Sequence, residues 1–166
     1  MRMKKQCMVV LVENNAGVLA RVASLFMQRG FNIHSLTVSP THDERISRIT
    51  IMTSGDEKTF AQIVKQTGKL VETKLIFSVE PTFSLIHEIL LIKFAPEEQD
   101  NEKLAGLISI YGAKLVDTTD RCMTIELTDT PQRLDGFIED TQKFHVIEMC
   151  RSGAIAMERG DVTYDI

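Results

Sequence analysis

Cysteine is scarce in this chain of 166 residues: Cys7, Cys122 and Cys150 stand far apart, with no CxxC pair. An odd total without that spacing excludes a disulfide framework and gives no support to a zinc site. All three sit in apolar runs, which predicts buried, reduced thiols within strands rather than nucleophiles. Long hydrophobic runs are missing too. The basic start "MRMKKQC" passes straight into the six-residue run "CMVVLV", too short for the apolar core of a signal peptide, and no later run reaches membrane length. A cytoplasmic protein with no transit peptide and no membrane contact is the expectation. Positive charge is not in excess, since 19 Lys and Arg against 23 Asp and Glu leave a formal charge of −4. Domains that neutralise phosphates carry a concentrated basic surface, so nucleic acid is not an expected partner.

Catalytic signatures are absent as well: there is no GxGxxG, P-loop, GxSxG or HExxH. The four histidines, His34, His42, His87 and His145, are scattered. His42-Asp43-Glu44 has the residue types of a metal cluster, but Pro40, Thr41 and Arg45 around it mark a solvated turn. No catalytic residue and no metal ligand is assigned.

What is present is periodicity. Residues 7–12 are apolar on both faces, as in a central strand. Asn14 and Asn15 then offer N-cap chemistry, and Val18, Leu19, Val22, Leu25 and Phe26 form one helical stripe that Gly30 ends. "NIHSLTVSP" and "ISRITIMT" alternate around the turn "THDER" and predict a hairpin. A helix follows Ser54-Gly55-Asp56 with Phe60, Ile63, Val64 and Thr67 on one face, and "KLVETKLIFSV" closes the set as a strand. After "EPTFS" the order repeats: strand "LIHEILLIKF", helix 98–111 ended by Gly112, hairpin "AKLVDTT" and "RCMTIELT", helix 131–141, strand "FHVIEMC". The fold class is therefore α+β, two consecutive ferredoxin-like βαββαβ domains, each an antiparallel sheet with helices on one face. The domains are expected at 5–80 and 85–166, with a linker at 81–84.

Two functions hosted by this fold fail on the residues. RNA recognition needs exposed aromatics on the central strands, and "CMVVLV" and "RISRITIM" have none. An acylphosphatase-like site needs an arginine in the loop after the first strand, where this chain has "ENNAG". That same loop leads a strand into a helix through Asn, Asn and Gly. Such a junction exposes backbone N–H groups at the positive end of a helix dipole, which suits a carboxylate. Gly17 permits close approach, and the Asn14 amide can address a carboxylate or an ammonium. A capped helix with a tight turn explains the same residues equally well.

"ENNAGVLARVASLFMQRGFNIHSLTVSPT", "SRITIMTSGDEKTFAQIVKQTGKLVE", "HEILLIKF" and "MCRSGAIAMERGD" together resemble the small regulatory subunit of acetolactate synthase, also called acetohydroxyacid synthase, over about residues 5–161. The resemblance implies an N-terminal ACT domain that binds a free amino acid and forms a homodimer. It implies no activity of its own: the chain would activate a large catalytic subunit in branched-chain amino acid biosynthesis and confer feedback inhibition by valine or a related amino acid. Thiamine diphosphate, magnesium and FAD would belong to that large subunit, with no cofactor on this chain. Carried over by position, the effector site would use Asn14, Gly17, Val18 and Leu19 of one chain with Asn32 and Ile33 of its neighbour. Ala16 stands where many ACT domains have proline, Ala20 where relatives often have serine, and His34 where an acidic residue is common. The alternatives are a stand-alone amino-acid sensor acting on another protein, and a small free-standing transferase.

Overall fold

The computed structural model describes residues 5–95, 97 and 100–164. Its contacts divide the chain into two compact units, Met1–Leu85 together with Ala154–Ile166, and Ile86–Gly153.

Unit 1 runs β1 (Lys5–Glu13), α1 (Val18–Gln28), β2 (Ile33–Pro40), β3 (Ile46–Ser54), α2 (Glu57–Thr67) and β4 (Thr73–Val79). The sheet is antiparallel with order β2-β3-β1-β4, so β2 and β4 are edges. Side chains alternate between the faces of a strand, and Met8, Val10 and Val12 of β1 with Ile49 and Ile51 of β3 meet the helices. The helices answer with Val18, Val22 and Phe26 from α1 and Phe60 and Ile63 from α2. Burying each such side chain stabilises the fold by roughly 1.5–3 kcal/mol. Gly30, at φ 67°, turns the chain out of α1, and the Phe31 N–H reaches back to the Phe26 carbonyl at 3.0 Å. Asp56 caps α2 through the Thr59 N–H at 2.9 Å.

Phe31 is seated by an absence. A Cβ at Gly55 would lie 2.5 Å from Phe31 Cζ, while Phe31 itself packs on the core of unit 1. Gly55→Ala is therefore expected to push the ring off its seat and destabilise the protein by about 1–3 kcal/mol, read as a lower urea midpoint.

The other face of the sheet carries Cys7, Val9 and Leu11 of β1, Arg48 of β3 and Phe77 of β4. Burial pushes the Cys7 thiol up to about 12, so it stays protonated at neutral pH. The other two cysteines depart from expectation: Cys122 is half-buried in the turn before a strand, and Cys150 is exposed on an edge strand. The strand expected from Lys69 starts at Thr73, because the N–H groups of Lys69 and Leu70 bond to Gln66 and Thr67 carbonyls in a turn.

Unit 2 repeats the order from β5 (Ser84–Phe94) through α3 (Asn101–Tyr111), β6 (Lys114–Thr118), β7 (Met123–Asp129), α4 (Pro131–Thr141) and β8 (Val146–Arg151). Its strands follow the same pattern, β6-β7-β5-β8, and a further short strand, β9 (Ile155–Glu158), pairs with β5. Leu90, Ile92, Phe94, Ile125 and Leu127 pack on Leu104 of α3 and on Leu134 and Phe137 of α4. The expected start of α3 at residue 98 lies outside the described residues. Two βαββαβ sheets with their helices establish the ferredoxin-like fold twice.

The domain limits differ from expectation at one end. The second domain was expected to run to residue 166, whereas the chain from Ala154 onward belongs by its contacts to unit 1. Ala154 and Ala156 are buried there, and Tyr164 stacks on Phe77.

Candidate functional site

At the end of β1 the chain turns through residues 14–17 into α1. The Asn14 N–H donates to the Arg45 carbonyl at 2.7 Å, and Asn14 Nδ2 donates to the Glu44 carbonyl at 2.9 Å. Asn15 Nδ2 donates to a Glu13 carboxylate oxygen at 3.1 Å. Neither asparagine caps the helix, contrary to expectation. The N-cap is Gly17, at φ 86° and ψ −10°, with no side-chain cap. Only glycine takes that left-handed conformation at little cost. Asn14 is drawn away because the β2–β3 turn offers it two carbonyls, which satisfies its amide and ties the turn to the mouth.

An uncapped helix start leaves donors free. Among the described residues the N–H groups of Leu19 and Ala20 have no backbone acceptor, whereas the Val18 N–H reaches the Asn15 carbonyl at 3.3 Å and the Arg21 N–H the Gly17 carbonyl at 3.1 Å. The space above Gly17 is open: a Cβ there would find Arg21 Nη1 at 3.9 Å and nothing nearer. Arg21 Nη2 pairs with Glu72 at 2.5 Å, and Lys74 Nζ pairs with Glu13 at 2.5 Å. Exposed pairs of this kind stabilise little, about 0–1 kcal/mol, so they order the rim rather than hold the fold. A cleft of ≈ 960 Å³ adjoins, lined by residues 13–15 and 43–46 with Lys74 and Leu75. In its wall the Arg45 guanidinium and N–H hold the Asp43 carboxyl at about 2. Asp43 is thus charged at neutral pH and paired with Arg45. Among the described residues no group of three or more His, Cys, Asp or Glu could hold a metal ion, and no helix is long and apolar enough to cross a membrane.

The six expected site residues do not converge within one chain. Asn14, Gly17, Val18 and Leu19 share the mouth. The Val18 side chain is buried in the core, so only its backbone faces outward, while Leu19 is 42% exposed beside the free N–H groups. Asn32 and Ile33 lie at the opposite end of the sheet, because Ile33 pairs with Thr53, and Thr53 pairs with Gln6 near the start of β1. Gln6 and Glu13 are seven residues apart along β1, roughly 23 Å. The Asn32 carbonyl accepts from Thr53 Oγ1 at 2.8 Å, its side chain is exposed, and Ile33 packs on the core.

Comparison with known proteins fixes the family. An AHAS small subunit-like ACT domain model matches residues 8–74, and a model for the small subunit of acetolactate synthase matches residues 87–160. The probable acetolactate synthase small subunit of Archaeoglobus fulgidus is 40% identical over 158 residues, covering 95% of this chain and 98% of that relative. The chain belongs to the acetolactate synthase small-subunit family. The isozyme 3 small subunit of Escherichia coli K12 is 38% identical over 160 residues, covering 95% of this chain and 97% of its own. The crystal structure of the Thermotoga maritima small subunit superposes with a TM-score of 0.86 at 34% identity, covering 96% of this chain and all of that one. The whole mouth from Glu13 to Lys74 falls within the ACT-domain match.

For a small subunit of this kind, the sequence pointed to Asn14 and Gly17 through residue chemistry, and to Leu19 through the family resemblance. It did not point to Arg21, Glu44, Arg45, Glu72 or Lys74. Their closeness to the mouth depends on register: Glu13 stands opposite Ile46, and its N–H bonds to the Glu72 carbonyl at 2.9 Å. No local pattern in the sequence carries those pairings.

Proposed function

We propose that this chain is the regulatory subunit of acetolactate synthase, activating the large catalytic subunit and relaying feedback inhibition by valine or a related branched-chain amino acid. The observation that carries the effector site is the uncapped, glycine-started α1 with free N–H groups at Leu19 and Ala20. A carboxylate there meets the positive end of the helix dipole. Asn14 has committed one Nδ2 hydrogen to Glu44, which leaves its carbonyl oxygen for the effector's ammonium. Leu19 supplies an apolar wall for a branched side chain.

A second copy completes the site. Among the described residues β2 is an edge strand bonded only to β3, and an unpaired edge invites another strand. Antiparallel pairing of β2 with its twin sets the start of one β2 beside the end of the other. Pro40 at that end pairs with Ser47, and Ser47 with Val12, close to the mouth. The twin's Asn32 and Ile33 thereby arrive at the end of the sheet that holds Asn14 and Gly17. An effector gripped by both chains favours one arrangement of the pair, and a differential of about 1–3 kcal/mol suffices for graded control. The amino acid acts through the partner enzyme, whose thiamine diphosphate, magnesium and FAD do the chemistry.

Asn32→Ala tests the shared geometry. Calorimetric titration with valine is expected to show affinity lowered about tenfold, the effect of losing one hydrogen bond to a charged group, with the fold unchanged because the Asn32 side chain bonds to nothing described. Unchanged affinity would remove Asn32 from the site. Affinity capture of the tagged chain from extract is expected to bring down the large thiamine-dependent enzyme.

A further inference from the structure

The two strands that leave the mouth carry, three residues further on, the side chains that grip the end of the chain. Just before β3, Arg45 offers its carbonyl to Asn14, and on the strand Arg48 Nη2 donates to the Ala156 carbonyl at 2.5 Å. On β4, Lys74 pairs with Glu13, and Phe77 stacks on Tyr164 with ring centroids 4.4 Å apart and planes inclined by 23°. Three residues of strand span about 10 Å. The two grips also touch each other, since the Arg48 guanidinium carbon lies 5.8 Å from the Phe77 ring centroid. The Tyr164 hydroxyl donates to Glu158, which folds the end of the segment back on its own strand. Ala154 and Ala156 are buried while Ile155 and Met157 stay exposed, so one face of β9 is seated, and the strand also pairs with β5.

We propose that residues 154–164 are a strap by which unit 1 passes the state of its amino-acid mouth to the rest of the chain, with Arg48 and Phe77 as the grips. The proposal rests on the amino-acid seat described above. β3 and β4 both flank β1, and Leu11 pairs with Arg48 on one side and Leu75 on the other. A shift of the Asn14–Arg45 or Glu13–Lys74 contact on ligand binding therefore moves two packed strands that also carry Arg48 and Phe77, the side chains that hold the strap. The residue before the strap, Gly153, closes unit 2, two positions after β8. Movement of the strap is thus drawn covalently onto β8. Arg48 and Phe77 act through the strap and do not touch the effector.

Tyr164→Ala and Tyr164→Phe in the full chain separate this role from a structural one, with valine as the probe. Three quantities are read: valine affinity of the isolated chain by calorimetry, half-inhibition of the enzyme reconstituted with the large subunit, and hydrogen exchange at residues 155–158 of the wild type. The expected result for Tyr164→Ala is valine Kd within about twofold of wild type with the half-inhibitory concentration raised about tenfold or more, within the usual range of allosteric coupling. Tyr164→Phe keeps the stacking and is expected to behave as wild type. Exchange at 155–158 is expected to change when valine saturates the wild-type chain. Wild-type inhibition in Tyr164→Ala, or unchanged exchange at saturating valine, would overturn the strap while leaving the amino-acid seat standing. If Tyr164→Ala does not fold, the exchange measurement on the wild type decides alone. A wild-type chain that binds no valine at all would remove the seat and the strap together.

Discussion

Gly17→Asp is expected to abolish valine binding, by about a hundredfold or more, while the reconstituted enzyme keeps the activation conferred by the small chain. The expectation has three parts. The backbone at Gly17 is left-handed, φ 86°, and aspartate is one of the few side chains that visit this region, at a cost of about 1–2 kcal/mol. The position is open, with Arg21 Nη1 at 3.9 Å the nearest neighbour of a new Cβ, so the fold need not rearrange. A carboxylate placed there then lies where the effector's own carboxylate is to sit, beside the free N–H groups of Leu19 and Ala20. It satisfies those donors from within and repels the incoming charge. Gly17→Asn imposes the same backbone strain without the charge and is expected to lose much less affinity. Equal losses in the two variants would assign the effect to strain; calorimetry with valine distinguishes them.

Arg151→Ala is expected to have the largest effect on stability. Glu88 is 5% exposed and its carboxylate accepts from Arg151 Nε, while Arg151 Nη1 reaches Asp135 at 2.6 Å and Nη2 the Pro131 carbonyl at 3.2 Å. One guanidinium thereby ties β8 to β5 and to the first turn of α4. Burial opposes the Arg151 charge, and the hydrogen bonds to Asp135 and Glu88 with their carboxylate charges outweigh it and raise the pKa. Removing the cation strands a buried carboxylate. Breaking a buried pair from one side costs about 3 kcal/mol at the lower end of the range, which applies here because Arg151 keeps 27% exposure. With urea slopes of about 1–3 kcal/mol per molar, the midpoint falls by 1 M or more, roughly. Removing both charges, as Glu88→Leu with Arg151→Met, is expected to recover most of the loss. A double variant as weak as Arg151→Ala would show that packing, and not the orphaned charge, set the cost.

The ferredoxin-like order was legible because each element carries its own local signal. Val18, Val22 and Phe26 recur at helical spacing, Gly30 stops α1, Asp56 starts α2, and β1 is apolar on both faces as a central strand must be. β9 was not legible: "IAME" is four residues long and follows Gly153, and its seat depends on Arg48 and Phe77, far away in sequence. The first helix start was misjudged for a related reason. Asn14 and Asn15 have the side chains of N-caps, but tertiary partners at Glu44 and Glu13 claim them, and the cap falls to Gly17. Cys150 was taken as buried from its apolar neighbours, yet it pairs with Leu91, itself 40% exposed, on the face of the sheet opposite the core. At the site, residue chemistry picked out Asn14 and Gly17. The rim of Arg21, Glu72 and Lys74 exists only through strand register, and the role proposed for Asn32 needs a second chain.

Mixing two defective chains tests the central claim most directly. In the proposed two-chain seat, Gly17→Asp spoils the mouth of its own chain, and Asn32→Ala spoils what that chain lends to its twin. In a mixed dimer of the two, one mouth carries both defects and the other carries neither. Calorimetric titration of the mixed dimer with valine is expected to recover wild-type affinity at one site per dimer, although each variant alone binds poorly. A mixed dimer that binds no better than its parents would contradict a seat built from two chains.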